Sequence, residues 1–169
     1  THTKIGGSHY GNYRCGIICE SFKRRSKQLK YILKSVMFLN NEVMYSNTPL
    51  PEALKYISIK VENPVNDILS KVAVSLESGE SKSVYESFHE EYYKNKSNFN
   101  LFEEDKAIIK DFLKGLGESG IYGQDKLFNL TIENMKINCK TADELAKKNS
   151  KMCSAIGICI GAMIAIFLF

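Results

Sequence analysis

Residues 26–46, SKQLKYILKSVMFLNNEVMYS, decide the fold class. Leu29, Ile32, Leu33, Val36, Leu39 and Val43 recur at steps of three and four, the spacing that stacks side chains on one face of an α-helix. A strand needs apolar residues at every second position, and that alternation is absent between Ser26 and Cys153. The stretch predicts a helix with one apolar stripe, and such a stripe must be covered by others.

Working outward, the same period recurs between chain breakers. Thr48-Pro49 predicts a helix start, with Thr48 capping free N–H groups and Pro49 in the first turn; Leu50, Ala53, Leu54 and Ile57 form its apolar face. Asn63-Pro64 repeats the device before Val65, Ile68, Leu69, Val72 and Leu76, and Gly79 ends that run as a left-handed cap. Lys82 to Lys94 predicts a fourth helix with Val84, Tyr85, Phe88 and Tyr92 inward, followed by a loop at 95–100. A fifth begins near Glu103, whose acidic turn suits the positive end of the helix dipole, with Ile108, Ile109, Phe112, Leu113 and Leu116 as its apolar face. Gly115, Gly117, Gly120 and Gly123 predict a sharp connection. From about Gln124 a last helix runs through Leu127, Leu130, Met135, Ala142 and Leu145. The expected fold is all-α, a six-helix bundle whose last helix is continuous with a C-terminal transmembrane helix.

That anchor is read from residues 152–169, MCSAIGICIGAMIAIFLF, which carry no charge. Helical at ~1.5 Å per residue, the run is about 27 Å long against a hydrocarbon core of roughly 30 Å. Lys147, Lys148 and Lys151 precede it, as lysines do on the cytoplasmic side. A buried core helix is the competing reading. The expected organisation is 1–22 as a leader or the remnant of a first membrane span, 23–151 as a cytoplasmic helical bundle and 152–169 as the span. Gly157, Gly161 and Ala165, four apart, form a smooth ridge for packing against another membrane helix.

Composition narrows the function. Lysine and arginine number 23 against 19 acids, a net charge of +4. The excess sits in two clusters, Lys23, Arg24, Arg25 and Lys27, and the lysines at 147, 148 and 151, both suited to an anionic membrane surface. The middle of the chain is mixed or acidic (Glu86, Glu90, Glu91, Glu103, Glu104, Asp105), which argues against nucleic acid as a partner. Five cysteines and three scattered histidines fit neither a disulfide framework nor a zinc site, so reduced thiols are expected. GLGESGIYG, residues 115–123, contains GxGxxG between two helices rather than after a strand, so a dinucleotide site is excluded by context. No catalytic constellation, metal site or cofactor site is expected; His89 and Ser119 lack partners in any recognisable arrangement.

Two stretches taken in order carry a resemblance: Glu42-Val43-Met44-Tyr45-Ser46-Asn47-Thr48-Pro49-Leu50-Pro51-Glu52-Ala53-Leu54, and Leu116-Gly117-Glu118-Ser119-Gly120 followed by Gln124. With Arg25 to Leu29 before them and the basic lead at 147–152 behind, the chain resembles the stage III sporulation protein AB family of endospore-forming bacteria from about Arg25 to its end. The family is similar to the cytoplasmic domains of the GspF platform proteins of type II secretion. The resemblance implies a six-helix bundle with a membrane helix at each end, although residues 1–20 are too polar to supply the first. It implies a non-enzymatic platform in the SpoIIIA–SpoIIQ channel, in the outer forespore membrane and facing the mother-cell cytoplasm. Its implied partners are the secretion-type ATPase SpoIIIAA and the other SpoIIIA subunits; a homo-oligomer is left open. Candidate contact surfaces are the corner holding Glu42, Tyr45, Thr48, Pro49, Leu50, Pro51 and Glu52, and the turn holding Leu116, Gly117, Ser119 and Gln124. Both also read as plain helix-terminating corners. The alternative function is a tail-anchored adaptor that recruits a cytosolic partner without any channel.

Overall fold

The computed structural model describes the backbone of residues 7–81, 83–118 and 121–168, with side chains from residue 16 onward except at 117–122, 160, 164, 167 and 168. Among the described residues there are six α-helices and no strand: α1 (Gly7–Met44), α2 (Leu50–Ser58), α3 (Val65–Glu77), α4 (Val84–Lys94), α5 (Glu103–Glu118) and α6 (Ile121–Leu168), with a short 3-10 turn at Lys96–Asn98. Each helix packs on the next in sequence, and α6 returns to pack most extensively on α1, closing the ring. α1 extends back to Gly7, through the stretch whose polarity suggested a leader.

The periodic stripes supply the core. Leu29, Ile32, Val36 and Leu39 of α1 are buried, as are Ala53, Leu54 and Ile57 of α2, Val65, Ile68, Leu69 and Val72 of α3, and Ile109, Phe112, Leu113 and Leu116 of α5. Leu130 departs from its expected place and is exposed. The inward face of α6 is Phe128, Thr131, Met135, Cys139, Ala142 and Ala146, spaced by three and four, and Leu130 falls off that stripe.

The breakers act differently from expectation at three points. Thr48 does not cap α2. Its hydroxyl donates to the Glu42 carboxylate at 2.9 Å, Pro49 takes the N-cap position, and Pro51 rather than Pro49 lies in the first turn. Asn63 likewise does not cap α3: Pro64 takes the cap position after a cis peptide bond. Gly79 behaves as expected, at φ +71° with the Glu80 N–H reaching the Ser75 carbonyl. The sharp connection expected at the glycines 115–123 is confined between residues 118 and 121. α5 continues to Glu118 and α6 begins at Ile121, so Gly115 and Gly117 are helical and Ser119-Gly120 lie outside the described residues. Gly115 serves packing: a Cβ there would stand 2.9 Å from both methyls of Leu127, so its absence lets α5 and α6 approach.

The expected C-terminal anchor is met only in part. α6 runs unbroken from bundle to tail for 48 residues, roughly 70 Å at ~1.5 Å per residue. However, no helix among the described residues is long and apolar enough to cross a membrane.

Candidate functional site

α1 and α6 lie antiparallel, and their cross-links fix the register. Near one end Cys19 and Cys153 face each other across the two helices. Further along, Ser26 donates a hydrogen bond to Asp143, and Lys30 pairs with the same carboxylate at 2.7 Å. These two donors hold the Asp143 carboxyl below its ordinary value. Extended along the helices, this register sets Met44 level with the first turns of α6.

The strongest tie lies between those ends. Arg25 donates two hydrogen bonds to Asp105 of α5, at 2.7 and 2.8 Å. The same carboxylate accepts from Asn138 of α6 at 2.8 Å and from the Phe102 backbone N–H at 2.9 Å. Arg25 stacks on the Phe102 ring at 3.9 Å, and both Arg25 and Asp105 are sealed from solvent. One carboxylate thus locks three helices. Reading Arg25 as a membrane-facing cation is therefore corrected, and Asp105, counted from sequence among the acids in the middle of the chain, is a buried partner. In both cases an ion pair between residues 80 apart overrides local composition.

The two ends differ in chemistry. At the Cys19–Cys153 end Lys23, Arg24, Lys147, Lys148 and Lys151 are exposed on adjoining helices. Beyond them Ile17, Ile18, Met152, Ile156 and Ile158 are exposed too, so a basic band borders an apolar tip. Gly157, Gly161 and Ala165 lie on that tip, and a Cβ at either glycine would meet nothing within 4 Å.

At the opposite end α1 turns into α2. Asn47, at φ +52°, reverses the chain in the left-handed region that asparagine tolerates. The Thr48 N–H donates to the Glu42 carbonyl at 3.0 Å, doubling the side-chain bond between the same residues. Glu42, Thr48, Leu50 and Pro51 are therefore half-buried parts of a closed corner, while Tyr45, Asn47, Pro49 and Glu52 are exposed along its edge. Of the second motif, Leu116 is buried core, Gly117 is helical, Ser119 is outside the described residues and Gln124 is half-buried on the first turn of α6. The antiparallel register puts both motifs at this one end.

The model of the family described as stage III sporulation protein AB (spore_III_AB) matches residues 15–169. The chain belongs to the stage III sporulation protein AB family. A member from Bacillus subtilis (strain 168) is 24% identical over 147 residues, 87% of this chain and 85% of that protein. A solved stage III sporulation protein AB (SpoIIIAB) aligns with a TM-score of 0.67 at 22% identity, over 73% of this chain and 97% of its own, so the likeness lies in the fold. Membership gives this protein a role in sporulation. The Arg25–Asp105 lock escaped the sequence reading. The one available signal was an acidic residue at the third position of α5, where an exposed dipole partner and a buried lock look alike.

Proposed function

We propose that this stage III sporulation protein AB is a non-enzymatic platform subunit of the SpoIIIA–SpoIIQ channel. It sits in the outer forespore membrane, its bundle faces the mother-cell cytoplasm, and it couples the secretion-type ATPase SpoIIIAA to the other SpoIIIA subunits. The observation that carries this reading is the polarity of the α1–α6 pair. A basic band and an apolar tip occupy one end, and a stiff exposed corner occupies the other. Lysines and arginines beside an apolar helix end favour an anionic leaflet, each contributing about 1 kcal/mol. The tip carries Met163 and Ile166 exposed as well, surface that water disfavours and lipid or a partner helix accepts. The uncharged run from Met152 onward enters the bilayer beside a neighbouring membrane helix. α6 continues from the corner end into that tip without a break, so a displacement at the corner is passed on as rigid motion.

The test uses the full chain. After carbonate washing of membranes from sporulating cells it is expected in the pellet; release into the aqueous fraction would overturn the membrane placement. In detergent, retention of the ATPase on the immobilised chain is compared for wild type, Glu52→Lys and Tyr45→Ser. Both substitutions alter exposed corner positions and leave the Glu42–Thr48 bonds alone. The expected loss is about tenfold in affinity, roughly 1.4 kcal/mol. Equal retention by all three would remove the corner as the contact.

A further inference from the structure

A groove between α4 and α5 has two walls of opposite character. On α4, Tyr85, His89 and Tyr93 stand four residues apart and pack as a row of tilted rings, with centroids 5.6 Å and then 4.5 Å apart. On α5, Lys106, Lys110 and Lys114 stand four apart in the same way. The helices run antiparallel, so the ladders meet rung by rung: Lys114 lies 5.0 Å from the Tyr85 ring, and Lys106 is at the Tyr93 end. Lys96 joins that end, 5.7 Å from the Tyr93 ring. The floor is core, with Ile109 and Leu113 at its base, and the cleft holds about 320 Å³ open to solvent.

The charge in the groove is unbalanced. Glu103 is the one acid among its described lining residues, and its carboxylate is bonded to Lys106. Lys110 and Lys114 have no carboxylate partner among the described residues. We infer that this groove is the docking site for an acidic amphipathic helix of a partner protein. Its acids, one per turn, pair with Lys110 and Lys114, and its apolar side lies on the Tyr85–His89–Tyr93 ladder. The match is one of spacing as well as sign. Carboxylates at every fourth residue recur about every 6 Å along a helix, the repeat of the lysine ladder. Ring surfaces accept apolar contact, and the low-dielectric walls they form focus the field of the neighbouring lysines on the carboxylates. This site is separate from the corner proposed for the ATPase and does not depend on that assignment.

The complex isolated from sporulating cells is treated with a zero-length carbodiimide, which joins amines to carboxylates in contact, and linked peptides are read by mass spectrometry. The expected product joins Lys110 or Lys114 to an aspartate or glutamate of another protein. The double variant Lys110→Glu/Lys114→Glu is expected to reduce copurification of that protein about tenfold, since like charges replace opposite ones. Reversing the linked acid to lysine on the partner restores it. The neutral pair Lys110→Gln/Lys114→Gln falls between, and circular dichroism spectra unchanged from wild type establish that the variants fold. Links confined to this chain's own carboxylates, or copurification indifferent to charge reversal, overturn the inference. So does a double variant that keeps every protein partner but no longer floats with vesicles of 70:30 phosphatidylcholine and phosphatidylglycerol. Loss of the ATPase with Glu52→Lys but not with the groove variants, or the reverse, tells failure of one proposal from failure of the other.

Discussion

Replacing Asp105 with alanine tests whether the three-helix lock holds this bundle together. The carboxylate is fully buried and accepts four hydrogen bonds: two from Arg25, one from Asn138 and one from the Phe102 N–H. Its removal leaves the Arg25 guanidinium charged, without its counter-ion, among groups that exclude water. Breaking one side of a buried pair in this way costs about 3–5 kcal/mol. The Asn138 amide and the Phe102 N–H also lose their acceptor, which places the effect in the upper half of that range. For a chain of this size each kcal/mol lowers Tm by about 2–4 °C, so a fall of roughly 8–20 °C is expected. The assay is far-ultraviolet circular dichroism of the full chain in detergent, melted beside wild type. The companion variant Arg25→Met/Asp105→Leu removes both charges and fills the space. It is expected to recover more than half the loss, because the penalty lies in the orphaned charge rather than in missing attraction. A loss under about 1 kcal/mol for Asp105→Ala would refute the reasoning, as would a double variant no more stable than the single one.

Three further outcomes follow from the same geometry. Gly115→Ala is expected to be nearly neutral, since Leu127 can rotate away while the helix gains about 1 kcal/mol of propensity, whereas Gly115→Val overpacks the α5–α6 contact and costs about 1–3 kcal/mol in denaturant titration. Asp143, its carboxyl held below the ordinary 3.8 by Lys30 and Ser26, stabilises the fold above that value and loses the contribution as pH falls through its lowered pKa; Asp143→Asn should lower stability at neutral pH and flatten the acid limb of a stability–pH curve below pH 4, so that the two proteins converge there. Burial pushes the Cys139 thiol up to about 11, so iodoacetamide at pH 8 is expected to label exposed Cys159 and to spare Cys139 until the bundle unfolds, as peptide mass mapping would show.

The bundle was legible because its cause is periodic. A stripe such as Leu29, Ile32, Val36 and Leu39 has one satisfactory fate, burial against similar stripes, and five helices were found by that rule within a few residues. Failures came where a distant partner outweighed a local preference. Thr48 is a good cap by type, but the Glu42 carboxylate six residues back, fixed by the same corner, competes for its hydroxyl. Leu130 looks apolar in sequence, yet the seam of α6 was carried by Phe128, Thr131 and Cys139, one or two residues off the assumed stripe. Gly115 and Gly117 suggested a turn by composition, whereas Gly115 is there for Leu127. Arg25 and Asp105 each sat in a run of like charge, and nothing in either run distinguishes a solvated residue from one that meets its opposite 80 positions away. The corner residues were found through their motif, because the exposed Tyr45–Glu52 edge has no periodic signature of its own.

The placement of the lock bears on how a platform could carry force. Asp105 binds α1 and α6 at positions between the apolar tip and the corner, so neither helix can slide along the other without breaking buried, charge-assisted bonds. Leu29 and Met135 are buried near this tie, and close-packed interiors move between discrete arrangements rather than deforming continuously. A push at the Tyr45–Glu52 edge therefore moves α1 and α6 together and arrives at Met152 and beyond as displacement of one body. α5 carries Asp105 itself, so the α4–α5 pair is fastened to this tie, and α5 is joined to α6 again through Phe112 and Phe128 at 5.2 Å. A partner held in its groove rides on the same body without obstructing the corner, which lets one bundle grip two neighbours at once.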